Sequence, residues 1–169
     1  MAQISSLHIN EEAIMAILET VPDPEIPVIS IVDLGIVRRV TVQGDNVEID
    51  LTPTYSGCPA LDVIPILVHE ALAKHDIYNA LIKNVISPPW TTDWISEDGK
   101  KKLHAFGIVP PTSHTGDPEN QIPLEEKIVP CPRCGSEKTT LVSRFGSTPC
   151  KAAFKCDDCL DPFDYFKCH

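Results

Sequence analysis

Over the first hundred residues the apolar positions follow two different periods. Ile14, Ile17, Leu18 and Val21 recur at helical spacing. Asn10 is a favourable N-cap for that helix, and Glu11 and Glu12 suit the positive end of its dipole. It has to stop before Val21-Pro22-Asp23-Pro24, because residues that precede proline avoid helical angles. Past a proline-rich loop the period changes to two. Residues 36–42 are β-branched and half apolar, Gly44-Asp45-Asn46 supplies a turn, and Val47, Ile49 and Leu51 alternate inward, which together predict a β-hairpin. A second helical stripe (Ile64, Leu67, Val68, Ala71, Leu72) predicts a helix over about residues 59–75. Pro65 requires that helix to start late or to kink. Residues 80–86 read as a third strand and 87–94 as an extended loop. Ser96 caps a last short helix that ends at Gly107. The order α-β-β-α-β-α predicts an α+β domain over residues 1–108, with helices packed on a small sheet.

Between 109 and 128 the apolar periodicity stops. Prolines at 110, 111, 118 and 123 among polar residues mark a linker. Residues 129–169 form a second module of another kind. Cys131-Pro-Arg-Cys134 and Cys156-Asp-Asp-Cys159 are two Cys-x-x-Cys knuckles separated by 21 residues, close to the spacing of a four-cysteine zinc ribbon. Each knuckle turns two thiolates onto one ion, and Gly135 relieves the first turn. Strand-like segments at 139–145 and 152–155 lie between the pairs, which argues against isolated redox motifs. About forty residues bury too little apolar surface to fold unaided, so the metal supplies much of the stability. Zinc is the expected ion, and iron also suits four thiolates in a tetrahedron.

Charge and cysteine content narrow the function classes. The net charge of −10 divides into −8 over residues 1–109, −3 over 110–128 and +1 over 129–169. So acidic a body repels phosphate backbones, which excludes nucleic acid as a natural partner. No apolar run approaches 18 residues, so no membrane span is expected. Residues 1–10 lack the basic-then-apolar pattern of a secretory signal, which leads to an expectation of a cytoplasmic protein with reduced thiols. Seven cysteines there read as metal ligands or reactive thiols rather than disulfide partners.

Outside the knuckles three cysteines remain. Cys150 and Cys168 read either as small buried apolar side chains or, for Cys150, as an accessory thiol. His169 stands at a frayed end. Cys58, in Ser56-Gly57-Cys58-Pro59, precedes a helix whose first residue is a proline, so it is the expected cap. There the free N–H groups favour the thiolate and lower its pKa. Gly57 beside it leaves room for a ligand or partner to approach the backbone. A buried cysteine at a strand–helix turn explains the same residues equally well. Asp23, Glu25 and Asp33 either cap turns in a buried apolar segment or surround a pocket near Cys58. His69, His75 and His104 read as surface or core residues, Trp90 and Trp94 as packing, and Lys100, Lys101 and Lys102 as a solvated helix face. No phosphate loop, His-Glu-x-x-His or serine elbow is present, so a self-sufficient enzyme is hard to build from this chain.

Asp23-Pro-Glu25, Asp33-Leu-Gly35 and Thr52 with Gly57-Cys58-Pro59 resemble the core of the SufT-like iron–sulfur assembly domain. The ribbon, with Phe145-Gly-Ser-Thr-Pro-Cys150-Lys and Pro162-Phe-Asp-Tyr-Phe166-Lys, looks like that of the PaaD (PaaJ) family, which serves the bacterial phenylacetyl-CoA epoxidase system. The resemblance covers nearly the whole chain. It implies an accessory, non-catalytic role in aerobic phenylacetate catabolism: assembling or delivering an iron–sulfur cluster, with the reductase component as client and the other epoxidase subunits as partners. By position, Cys58 would be the thiol that handles a transient cluster, with Asp23, Glu25 and Thr52 around it. Cys131, Cys134, Cys156 and Cys159 would hold the ribbon metal. One cysteine cannot close a cluster site, so a second donor or a homodimer pairing two Cys58 residues is implied. The alternative is a structural or docking subunit of the oxygenase in which Cys58 is inert.

Overall fold

The computed structural model describes residues 9–55, 57–111 and 122–167. Helix α1 (Glu11–Leu18) begins where Asn10 Oδ1 accepts the Ala13 N–H at 2.8 Å, and it buries Ile14, Ile17 and Leu18. Strands β1 (Val37–Gln43) and β2 (Asn46–Leu51) pair antiparallel across a turn in which Gly44 has φ +61°. Helix α2 (Ala60–Ala73) then crosses over to β3 (Ala80–Asn84), which pairs parallel with β2 in a sheet of order β1-β2-β3. The chain leaving the end of β2 runs directly into the start of α2, and Cys58 stands in that loop. Helix α3 (Glu97–Ala105) is capped by Ser96, whose Oγ accepts the Gly99 N–H at 2.8 Å.

Two local expectations need correction. Helix α2 starts at Ala60, so Pro65 lies inside it and a late start is excluded. The missing donor at Pro65 would have served a carbonyl of the first turn, and burial of Ile64, Val68 and Leu72 outweighs that one bond. Residues 92–94, expected to be extended, form a turn of 3₁₀ helix, Thr92–Trp94.

The second sheet has four strands in the order β4-β7-β6-β5: β4 (Ile108–Val109), β5 (Thr139–Ser143), β6 (Lys151–Cys156) and β7 (Pro162–Phe166). Strands β5 and β6 carry the predicted ribbon hairpin. Strand β7 went unrecognised as a strand in the sequence; it buries Phe163, Tyr165 and Phe166 and leaves Pro162 exposed. Its free edge is taken by Ile108 and Val109, which pair parallel with Asp164 and Tyr165. Residues at the sequence-defined junction of domain and linker thus form part of the ribbon's sheet.

Side chains cross between the modules as well. Phe166 and Cys150 are buried in the same apolar cluster as Ile14, Ile26, Leu51 and Leu72. The Phe166 ring lies 5.9 Å from that of Trp90, and the Trp90 indole N–H donates to Leu34 O at 2.9 Å. A smaller cluster around Phe154, Phe163 and Tyr165 backs the cysteine knuckles. Among the described residues no helix is long and apolar enough to cross a membrane.

Candidate metal centre and thiol site

Cys131, Cys134, Cys156 and Cys159 place their four Sγ atoms within 4.8 Å of one another. The Cys131–Cys159 and Cys134–Cys156 pairs stand at 3.7 and 3.6 Å. A tetrahedron of thiolates about 2.3 Å from a zinc ion has S–S edges of roughly 3.8 Å, so these spacings fit a single ion. The backbone builds the cage. Gly135 N–H donates to Cys131 O at 2.9 Å, closing the first knuckle, and the Cys159 N–H reaches Cys156 Sγ at 3.5 Å. That N–H is the main cause that draws the Cys156 thiol down to about 7. Exposed charges brace the knuckles from outside, through Arg133 to Asp161 at 3.0 Å and Ser136 to Asp158 at 2.6 Å. Together the four residues form a metal-binding group.

Cys58 lies one residue farther from α2 than expected. Pro59 is the N-cap, and the Cys58 carbonyl accepts the Leu61 N–H at 3.2 Å. Its thiol is not activated as the sequence implied. Burial raises its pKa; the Ala60 N–H pulls it down, the charge of Glu25 pushes it up again, and the net shift is upward. The dipole argument fails here chiefly because the sulfur is half-buried, and the charge of Glu25 adds to that upward push. Thr54 bonds to the thiol, and Asp23 adds a further negative charge.

Asp23 is buried, and its Oδ1 accepts the N–H groups of Ile26 (2.8 Å) and Glu25 (2.9 Å). Burial raises its pKa more than those two bonds lower it. Glu25 is also raised, by burial first and then by Asp23. Behind them Thr52 is 1% exposed, and its Oγ1 has no hydrogen-bond partner, on the wall of a small cavity shared with Cys58, Leu61 and Ile64. The fold therefore brings Asp23, Glu25 and Thr52 around Cys58.

Asp33 goes elsewhere. It accepts Ser96 Oγ at 2.7 Å and pairs with Lys102, so one of the three lysines read as a solvated face ties α3 to this loop. The rest of the Asp33-Leu34-Gly35 motif is architectural. Leu34 O receives the Trp90 indole, and a Cβ on Gly35 (φ +73°) would fall 2.5 Å from Trp94 O. Trp94 packs under the Arg38 guanidinium, 3.2 Å from its ring centroid. His69, His75 and His104 are exposed. Gly57 is different: among the described residues a Cβ there would meet only the Tyr55 ring at 3.6 Å, an ordinary contact that does not require glycine.

The sequence did not place Cys150 here. Its Sγ lies 3.7 Å from Glu25 Oε2, and burial pushes its pKa up to about 11. The neighbouring Lys151, 5% exposed, stands 3.4 Å from Asp164 and lends positive charge to Asp23, Glu25 and Cys150. Tyr55 joins the same group. Burial raises it to about 12, helped by the charges of Cys58, Glu25 and Cys150. No periodicity relates residues so far apart; the unusual run Gly146-Ser-Thr-Pro-Cys150-Lys151 was the only available signal. Cys168 and His169 lie outside the described residues.

Two family models match the chain. One, described as the PaaD zinc beta ribbon domain, matches residues 115–167, and the other, described as an iron-sulfur cluster assembly protein, matches residues 11–81. The chain is 47% identical over 155 residues to the D component of the putative 1,2-phenylacetyl-CoA epoxidase of Escherichia coli, covering 92% of this chain and 91% of that one. It is 40% identical over 83 residues to the Fe-S protein maturation auxiliary factor SufT of Staphylococcus aureus, covering 48% and 93%. Among solved structures, a domain of unknown function DUF59 from Bacillus anthracis superimposes with a TM-score of 0.52 at 33% identity, covering 55% of this chain and 90% of that one.

Proposed function

From the premise that this chain belongs to the family of the 1,2-phenylacetyl-CoA epoxidase D component, we propose that it is the accessory maturation subunit of such an epoxidase system. It assembles or delivers an iron–sulfur cluster through Cys58, and the iron–sulfur reductase component of the same system is the client. The other epoxidase subunits are its partners, and the work takes place in the cytoplasm. The ribbon holds zinc on Cys131, Cys134, Cys156 and Cys159 as a structural ion.

The observation that carries this reading is the surrounding of Cys58. In a domain akin to an iron–sulfur maturation factor, the half-buried thiol sits among Asp23, Glu25 and Thr54 at the start of a helix. Thiol and carboxylates together offer a cation a donor set, and a thiol whose pKa is raised is not primed for nucleophilic attack. The exposed Gly57, whose place no contact among the described residues reserves for glycine, leaves the backbone beside Cys58 open to an incoming protein. In the test, purified protein is reconstituted anaerobically with iron and sulfide and then mixed with apo-reductase. Wild type should restore reductase activity and Cys58→Ala should not. Equal iron uptake and equal restoration by both would sink the idea.

A docking role is favoured by one separate observation. Exposed Phe106 and Val142 line a groove between the modules, with Phe163 at its floor. Stable co-purification with the oxygenase that Cys58→Ser leaves unchanged, together with unchanged reductase maturation, would establish that reading instead.

A further inference from the structure

Strand β3 is an edge of the first sheet, and nothing among the described residues pairs with its outer side. Its parallel register with β2 fixes which main-chain groups are left over. The Val85 N–H donates to Leu51 O at 2.7 Å, and Asn79 O accepts the Val47 N–H at 3.0 Å, so the odd-numbered positions serve β2. The N–H and C=O groups of Ala80, Ile82 and Asn84 therefore point away from the sheet. The opposite edge, β1, is guarded by a register irregularity between Val37 and Arg39 and by the charges of Arg38 and Arg39. Strand β3 has neither a bulge nor a proline. Between Tyr78 and Ile86 the chain carries no carboxylate, and its one charge, Lys83, is held by Glu48 at 2.7 Å. On a chain of net charge −10 this is a neutral stretch. It is also apolar, with Tyr78, Leu81 and Ile86 exposed by 70, 55 and 75%.

We propose that β3 pairs antiparallel with β3 of a second copy of this chain, about a two-fold axis at Ile82, and so joins two three-stranded sheets into one. A two-fold contact needs a self-complementary segment, and residues 78–86 are one. In this register Ile82 meets its own copy and Ala80 meets Asn84, each pair exchanging the main-chain bonds left open. Tyr78 meets Ile86, which covers the two most exposed apolar side chains of the segment. On the open side of the sheet one row reads Thr41, Glu48, Leu81, then Lys83, Asp50 and Arg39 of the second copy. Each Lys83 stem thus lies over an exposed leucine, and no like charges face each other. Beside Asn79, Ala80 and Leu81 the sheet has a depression of about 590 Å³, along which the second copy's Val85 runs. A strand pair of this length makes a small interface, so association is expected at micromolar rather than nanomolar concentration. Asn84 and its copy stand roughly 13 Å apart along the strands. Each lines the small cavity of its own Cys58, so the two thiols do not meet in this dimer, and the inference is independent of what Cys58 does.

The test is sedimentation equilibrium of the full chain over a wide range of concentration. Wild type should be a reversible dimer. Asn84→Pro removes one outward N–H without touching the bonds to β2 and should weaken the dimer at least about tenfold. Leu81→Lys sets a cation against Lys83 of the second copy at two equivalent places and should weaken it by a similar factor. The double variant Leu81→Lys/Lys83→Glu restores opposite charges at the same places, keeps a lysine beside Glu48, and should recover most of the wild-type affinity. Only pairing centred on Ile82 sets position 81 against position 83, so this rescue reads the register itself. A wild type that stays monomeric up to about 1 mM overturns the proposal. So does a dimer that either folded single variant leaves unchanged, or one whose weakening by Leu81→Lys the second substitution does not relieve. Circular dichroism reports the folding of each variant, and if Asn84→Pro does not fold, the charge exchange at 81 and 83 decides alone.

Discussion

The ribbon cage and the junction between the modules place their thiols on opposite plans. The ribbon cage draws four cysteines from two short knuckles, near the surface, braced by exposed ion pairs and backed by a small apolar cluster. The junction places single thiols in separate loops, Cys58 before α2 and Cys150 before β6, 92 positions apart in sequence. One of its thiols is fully buried, and carboxylates face it. Donors held by local turns make a site that is saturated and stays put. Residues brought together only by packing depend on the contact between modules. The first arrangement holds together through its own turns, and the second only through the docking of two surfaces.

The comparison breaks most directly at the cage. A zinc on four thiolates contributes on the order of 10 kcal/mol of folding free energy to a small ribbon. Chelation, or Cys156→Ser, should therefore melt strands β5 to β7 and leave α1, α2 and β1 to β3 folded, as hydrogen exchange would report. Unfolding of α1, α2 and β1 to β3 along with the ribbon would show instead that the two modules fold as one unit.

A smaller perturbation targets the contact itself. Phe166→Ala empties a fully buried site beside Trp90 and should cost about 3–5 kcal/mol. Zinc content should stay at one per chain while the near-ultraviolet signal of Trp90 changes. Loss of zinc in this variant would mean that the cage depends on docking rather than on its own turns.

The smallest effect separates two carboxylates of the neighbouring loop. For Asp33, burial raises the pKa but the bonds from Lys102 and Ser96 outweigh it, so the folded value lies below the ordinary 3.8. It contributes stability that is present above pH 3.8 and lost as the pH falls through the folded value. Asp23 is shifted the other way, raised by burial. Its ionisation costs stability at neutral pH, and that cost is relieved as the pH falls through the raised folded value towards 3.8. Denaturant melts at pH 7 should show Asp33→Asn destabilised by about 0.5–1 kcal/mol, a deficit that fades in acid. Asp23→Asn keeps an acceptor for the Ile26 and Glu25 N–H groups and should be neutral or stabilised at pH 7, with the gain fading in acid. The same sign for both variants would refute the assignment of opposite environments.

Where the chain's signals are local, they were legible before the structure. The knuckle spacing singled out the four cysteines that the fold gathers into one metal-binding group, and Asn10, Ser96 and Gly44 marked element ends that the fold uses as expected. The loop residues Asp23, Glu25 and Thr52 were singled out with Cys58; Thr52 shares a cavity with it, and the charges of Glu25 and Asp23 act on its thiol. The expected low pKa of Cys58 was wrong because the helix-dipole argument considers one element and omits the burial that packing imposes on the thiol, to which the charge of Glu25 adds. Asp33 was grouped with that pocket because it lies close in sequence, whereas its partners come from α3.

What the sequence alone determined is the set of short-range structures: the helices, the hairpin and the four-cysteine cage. Their information is carried by periodicity, caps and spacing within a few residues. Only the tertiary structure decided that Ile108 and Val109 belong to the ribbon's sheet, that Phe166 seals the first core, and that Cys150 and Lys151 meet Glu25. Those contacts join residues some fifty to 125 positions apart, paired by the shape of two packed surfaces rather than by any pattern along the chain. The charge and burial that set the chemistry of Cys58 arise from that packing, so its environment could be read only once the modules were docked.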